Sequence, residues 1–173
     1  DLMFLAGPEV IGVGLASAEA QAFAADWVRA WGRFPDVADP GANYVACTCE
    51  ELVAPRSDSW GSDTLLLTTY TPRGDAAARG YDSWLRETAG PYLSGRPGVV
   101  AHSSWRIADP SGALLDYTDL DLTLVEGRSA AESLLHDPDL QAFRRSWVEE
   151  WGRDPNGDPS DNYRLAVCQL IAT

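Results

Sequence analysis

The chain has 173 residues, with 26 acidic side chains against 13 basic ones, giving a formal charge of -13 at pH 7 and a pI of about 4.3. That balance excludes a sequence-independent nucleic-acid binder, which needs clustered positive charge to displace counterions from phosphates. A composition 45% hydrophobic and 10% aromatic excludes a disordered chain, and no window approaches the ~20 apolar residues of a membrane-spanning helix.

Every basic residue is Arg and none is Lys, a bias that a GC-rich coding sequence produces. The three cysteines, Cys47, Cys49 and Cys168, are too few and too odd in number for a disulfide framework, and they form no CxxC pair. With Asp1 and Leu2 opening the chain in place of a charged signal region, a cytoplasmic protein with no membrane partner is expected.

In chain order, Phe23, Trp27 and Trp31 recur at i, i+4 and i+8 and predict a helix that ends at Gly32. After a loop of Pro, Asp and Gly, a short strand is expected from Tyr44 to Glu50. Thr64 to Thr71 reads as a strand stopped by Pro72, and residues 76–94 as a helix with Tyr81, Trp84, Leu85 and Thr88 on one side. Val99 to Ala108 and Leu114 to Val125 read as a hairpin turned at Pro110 to Gly112. A helix over 129–151, bent near Asp137 and Pro138, and a strand from Tyr163 to Ala172 complete the chain.

Two stretches carry one pattern. Gln21, Ala22, Phe23, Trp27, Val28, Trp31, Gly32, Arg33, Pro35, Asn43, Tyr44 and Cys49 recur, with one deletion in the loop, as Gln141, Ala142, Phe143, Trp147, Val148, Trp151, Gly152, Arg153, Pro155, Asn162, Tyr163 and Cys168. The element order from residue 63 is β-α-β-β-α-β, the split βαβ unit of a ferredoxin-like domain. The expectation is an α+β protein in which 63–173 is a complete ferredoxin-like copy and 1–56 a partial copy supplying only its last β-α-β. Asp1 aligns with Asp121 and the only methionine is Met3, so the roughly 60 residues that would complete the first copy either precede this sequence or were never part of it.

Tyr81 to Glu87, followed by Pro91 to Ala101 with its Pro97-Gly98-Val99 strand start, and later Ala130 to Phe143, resemble the first helix, second strand and second helix of the dimeric α/β-barrel superfamily. The chain is similar in this respect to EthD-like proteins, small polyketide cyclases and cofactor-independent monooxygenases; muconolactone isomerases and some haem enzymes share the fold. The resemblance implies a barrel closed by two packed sheets, here a fused pseudo-dimer or a homodimer. It also implies a pocket for a small hydrophobic molecule, inside the barrel or between a sheet and its helices.

Chemistry-bearing residues concentrate on the hairpin. Alternation puts His102, Ser104 and Arg106 on one face of the first strand, with Ser103 and Trp105 on the other. Tyr117, Asp119, Asp121 and Thr123 share one face of the returning strand, and Leu120, Leu122 and Leu124 the other. A turn at Pro110 to Gly112 brings Asp119 or Asp121 opposite His102, and Thr68 and Tyr70 of the first strand join the same face. The helices are expected over the leucine row and the polar face is expected to line the barrel.

Such a face suits proton abstraction from an acidic carbon. His102 would be the base, Asp119 or Asp121 would orient it, Arg106 would stabilise a developing oxyanion, and Tyr70 or Tyr117 would bond the substrate. Trp84 and Trp105 are candidates for an aromatic pocket wall, His136 for a helix cap, and the cysteines for packing. Gly12 and Gly14 lack the rest of a dinucleotide fingerprint. The expected function is a cofactor-independent and metal-free enzyme of secondary metabolism, a cyclase, isomerase or monooxygenase acting on a polyketide-like or aromatic substrate. The alternatives are a non-catalytic ligand-binding or assembly protein of the same fold and, third, a haem-binding barrel.

Overall fold

The computed structural model describes residues 17–32, 36, 48–55, 62–108 and 116–169. The chain divides into two compact units, Asp1–Ala46 and Cys47–Thr173. In the first, helix α1 (Ala18–Trp31) starts at Ser17, whose hydroxyl accepts from the Ala20 amide at 3.1 Å, and stops at Gly32. Phe23, on the predicted aromatic stripe, is 66% exposed. The Gly12 and Gly14 positions, Cys47, the start of the strand expected at Tyr44 and the turn at Pro110 to Gly112 lie outside the described residues.

The second unit begins with β1 (Cys49–Val53) and β2 (Thr64–Tyr70). Helix α2 follows, a run of a 3-10 turn (Ala77–Arg79) and three further pieces (Tyr81–Trp84, Leu85–Ala89 and Gly90–Ser94). Then come β3 (Val99–Ile107), β4 (Asp119–Val125), α3 (Arg128–Leu135), α4 (Pro138–Trp151), the short α5 (Pro159–Asn162) and β5 (Tyr163–Gln169). The strands form one antiparallel sheet in the order β1-β3-β4-β2-β5. From β2 onward, β4 lies between β2 and β3, which is the split βαβ connectivity. The fold is therefore α+β, and β1 adds a fifth strand at the β3 edge.

Local chemistry explains the helix boundaries. The bend expected near Pro138 is a full break: α3 ends at Leu135, and Asp137 caps α4 by accepting from the amides of Asp139 (2.8 Å) and Leu140 (3.3 Å), with Pro138 in the first turn. In α2 the Leu85–Ala89 segment widens to π geometry just before Pro91. Pro91 offers no N–H to the preceding turn and its ring strikes the carbonyl there, so the winding opens. Helix α4 ends at Gly152, where a Cβ would stand 2.5 Å from the Val148 carbonyl oxygen and 2.7 Å from Asn162 Oδ1. The Asn162 amide in turn ties the following loop to Asp154 at 2.8 Å in both directions.

Two apolar clusters lie between the sheet and its helices. Tyr70, Tyr81, Leu85, Trp147, Val148 and Trp151 form one, and Leu66, Val125, Ala131, Leu134 and Leu140 the other. Each fully buried leucine or aromatic among them contributes on the order of 2 kcal/mol. Tyr70 and Trp147 meet edge to face at 5.2 Å, and Trp84 and Phe143 stack at 5.7 Å.

The faces of the sheet are the reverse of those expected from alternation. Tyr70, Asp119, Asp121, Thr123 and His102 face the helices, while Leu120, Leu122 and Leu124, also buried, point to the opposite side and belong to neither helix-side cluster. Alternation separates two faces without saying which one the helices cover. Here the polar row is accommodated because its members hydrogen-bond to one another and to helix residues.

Candidate functional site

A partly open cavity of about 70 Å³ lies between the middle of the sheet and helices α3 and α4. Leu66, Leu93, Val99, Leu134, Leu140, Phe143 and Trp147 give it apolar walls, and Thr68, Tyr70, Asp121, Thr123, Arg144 and Tyr163 supply its polar groups. The sheet positions its share by register: Tyr70 pairs with Asp119 and Tyr163, Thr68 with Asp121 and Leu165. A bulge between Val99 and Ala101 in β3 turns Val99 into the cavity, against the simple alternation that placed it with Ala101. The volume is small for a ligand pocket and suits a molecule, or the part of one, with a few heavy atoms.

Asp121 is the half-buried carboxylate of this cavity. Tyr70 donates its hydroxyl to Asp121 Oδ1 at 2.9 Å. Burial, followed by the charge of Asp121, pushes the Tyr70 phenol well above its ordinary pKa, so Tyr70 stays protonated and can donate to Asp121. Oδ2 of Asp121 accepts no hydrogen bond among the described residues.

Arg144 enters the cavity from α4, where Leu140, Phe143, Trp147 and Trp151 define the sheet-facing stripe. Its guanidinium carbon stands 5.9 Å from the Tyr163 ring centroid. Burial pulls its pKa down, against the influence of Tyr163 and Asp121. It makes no hydrogen bond or ion pair among the described residues.

His102 lies behind the cavity wall. It is 1% exposed, its Nδ1 is 2.8 Å from Thr123 Oγ1, and its Nε2 is 3.4 Å from Ser104 Oγ. Neither expected carboxylate bonds it. The register pairs His102 with Thr123, Ser104 with Asp121 and Arg106 with Asp119, so the residue opposite His102 lies two positions past Asp121 and four past Asp119. Burial lowers the His102 pKa more than Asp121 raises it, so the imidazole is held neutral at pH 7.

Arg106 is committed elsewhere. Its guanidinium bonds both oxygens of Asp82 on α2, at 2.9 and 3.2 Å, and Asp119 Oδ1 at 3.1 Å; Thr118 donates to Asp119 Oδ2 at 2.6 Å. The Arg106 hydrogen bonds hold the Asp82 carboxyl below its ordinary pKa, while burial raises that of Asp119. Arg106 and Asp119 do not line the cavity. Trp84 belongs to the aromatic core with Tyr81, Phe143 and Trp151. Trp105 donates to Ser103 Oγ at 2.9 Å on the sheet face turned away from the helices, and Tyr117 is half-buried ahead of β4. Of the eight side chains expected at a site, the cavity brings together Tyr70 and Asp121.

His136 stands at the C-terminus of α3 with Nδ1 2.7 Å from the Glu132 carbonyl oxygen, a capping position. Cys49 and Cys168 are not disulfide-bonded. Among the described residues no group of three His, Cys, Asp or Glu side chains is placed to hold a metal ion, and no helix is long and apolar enough to cross a membrane.

No family model matches the chain, and no curated protein matches it. Among solved structures, the chain is similar to an ethyl tert-butyl ether D (EthD) family protein from Bacillus halodurans C-125. The likeness has 12% identity and a TM-score of 0.48, and covers 62% of this chain and 98% of that one. It is also similar to HapK from Hahella chejuensis, with 11% identity and a TM-score of 0.44 over 64% of this chain and 94% of that one.

Proposed function

We propose that the cavity between the sheet and α4 binds a small molecule and that the chain acts on it as a cofactor-independent acid/base enzyme, with Asp121 in the role of proton acceptor. The observation that carries this reading is the Asp121 carboxylate itself. It projects into a mostly apolar cavity with one oxygen fixed by Tyr70 and the other unoccupied. Such a group is oriented and has a lone oxygen within reach of a molecule in the cavity, the geometric condition for a general base. Arg106 and Asp119, by contrast, are saturated by one another and by Asp82.

The step is an enolisation. A C–H bond beside a substrate carbonyl breaks, its proton passes to Asp121 Oδ2, and the electron pair moves through the new C=C bond onto the carbonyl oxygen. Arg144 and the Tyr163 hydroxyl are the cavity donors available to that oxyanion. Return of the proton to the same carbon gives exchange, and to another carbon gives isomerisation. His102 takes no proton in this scheme; its bond to Thr123 fixes one polar wall of the cavity.

The test is deuterium incorporation from D2O into the carbon acids of butanone and α-ketobutyrate, followed by NMR. The wild-type chain is expected to accelerate exchange of at least one of them over buffer, and Asp121→Asn to abolish the acceleration. Equal acceleration by the wild type and Asp121→Asn would overturn the assignment of Asp121, and no acceleration would leave the cavity as a binding site only.

A further inference from the structure

The geometry points to the class of molecule the cavity takes: a small oxo acid, whose carboxylate is received by Arg144. The inference rests on the cavity being a small-molecule site and goes beyond it by fixing the ligand's charge.

Four arginines of the second unit are half-buried, and three of them have carboxylate partners. Arg106 is paired with Asp82 and Asp119, Arg96 with Asp137, and Arg73 with Asp75. Arg144 alone among these four has no carboxylate within ion-pair distance among the described residues. Removing a guanidinium from water without an anion is costly. The cation–π contact with Tyr163 returns part of that cost but leaves its planar set of N–H donors unused.

A carboxylate is the anion whose geometry matches this fork, through two parallel hydrogen bonds. Asp121 does not fill the role, because it makes no ion pair with Arg144 and is held by Tyr70. A ligand acid seated on Arg144 shares the cavity with the Asp121 carboxylate. A carbonyl adjacent to the acid adds a second acceptor for the guanidinium fork. The apolar residues Leu140, Phe143 and Trp147 receive a short alkyl tail. The chain's charge of -13 opposes long-range attraction of anions, so recognition of the acid depends on the local contact with Arg144.

The test is binding of α-ketobutyrate and of its neutral amide, α-ketobutyramide, to the intact chain by calorimetry. The acid is expected to bind at least about tenfold more tightly than the amide. Arg144→Met, which keeps the apolar stem, should bind the two equally, and Arg144→Lys should restore part of the preference. A circular dichroism melt that matches the wild type shows that Arg144→Met is folded. Equal binding of acid and amide by the wild type, failure to bind either at about 10 mM, or a preference that survives in Arg144→Met would overturn the inference. Asp121→Asn separates this inference from the acid/base reading: it should keep the preference for the acid while losing proton exchange. Loss of exchange chemistry with the preference intact in the wild type would remove Asp121 as base and leave Arg144 as receptor.

Discussion

Arg106 and Arg144 lie on the same side of one sheet and differ in what surrounds them. Arg106 closes one end of the sheet, held by Asp82 and Asp119 with Thr118 completing the network. Arg144 stands in a cavity, stacked on Tyr163 and facing Asp121 without pairing to it. A saturated charge network holds a fold in place and offers nothing to a ligand. An unsaturated pair of opposite charges in an apolar cavity is costly to keep and is where chemistry is available.

The largest expected contrast is in stability. Arg106→Met leaves Asp119, only 2% exposed, as an unpaired buried carboxylate and should cost about 3–5 kcal/mol in urea denaturation. Arg144→Met should change stability by less than about 1 kcal/mol, because no pair is broken and a desolvated cation is removed. Similar losses in the two variants would break the comparison. A second contrast compares α4 with α1, whose sequences are similar. Phe143→Ala removes a ring stacked on Trp84 and on Tyr92 and should cost about 2–3 kcal/mol, whereas Phe23→Ala, at a position 66% exposed, should stay within about 0.5 kcal/mol.

Tyr70→Phe sharpens the account of the cavity. It removes the donor to Asp121 while keeping the ring packed on Trp147, so stability should fall by only about 1 kcal/mol. Proton exchange should fall about tenfold with binding of α-ketobutyrate retained. A further effect is one of pH. The His102 pKa is lower in the folded chain than in the unfolded one, so its stabilising contribution is complete above the ordinary His pKa of about 6.5 and is lost as pH falls through the folded value. Unfolding free energy should therefore decline below about pH 6.5 by up to about 1.4 kcal/mol per pH unit, and His102→Gln should flatten that decline.

Much of the architecture was legible in the sequence because it depends on local patterns. The aromatic spacing of Phe143, Trp147 and Trp151 marked α4, the Asp137-Pro138 step marked a bend where the structure has a break between two helices, and alternation marked β3 and β4. Strand register and the identity of the helix-covered face were not legible. Register depends on the length of the β3–β4 connection and on the bulge after Val99, and Leu120 and Asp119 are both buried, on opposite faces. Tyr70 and Asp121 were found by their chemistry, but Arg144 was overlooked. A signal for it existed: where the similar stretch of sequence earlier in the chain has Ala24, α4 has Arg144, a cation set into an apolar stripe.

The most direct measurement of the central claim is an NMR titration of the indole N–H signals with α-ketobutyrate. Trp147 lines the cavity, with its N–H donated to the Tyr81 hydroxyl at 3.1 Å, while Trp105 lies on the far face of the sheet. A saturable shift of the Trp147 signal is expected with Trp105 unmoved, and Arg144→Met should lose that shift. A shift at Trp105 with Trp147 unmoved, or no shift at either, would contradict that claim.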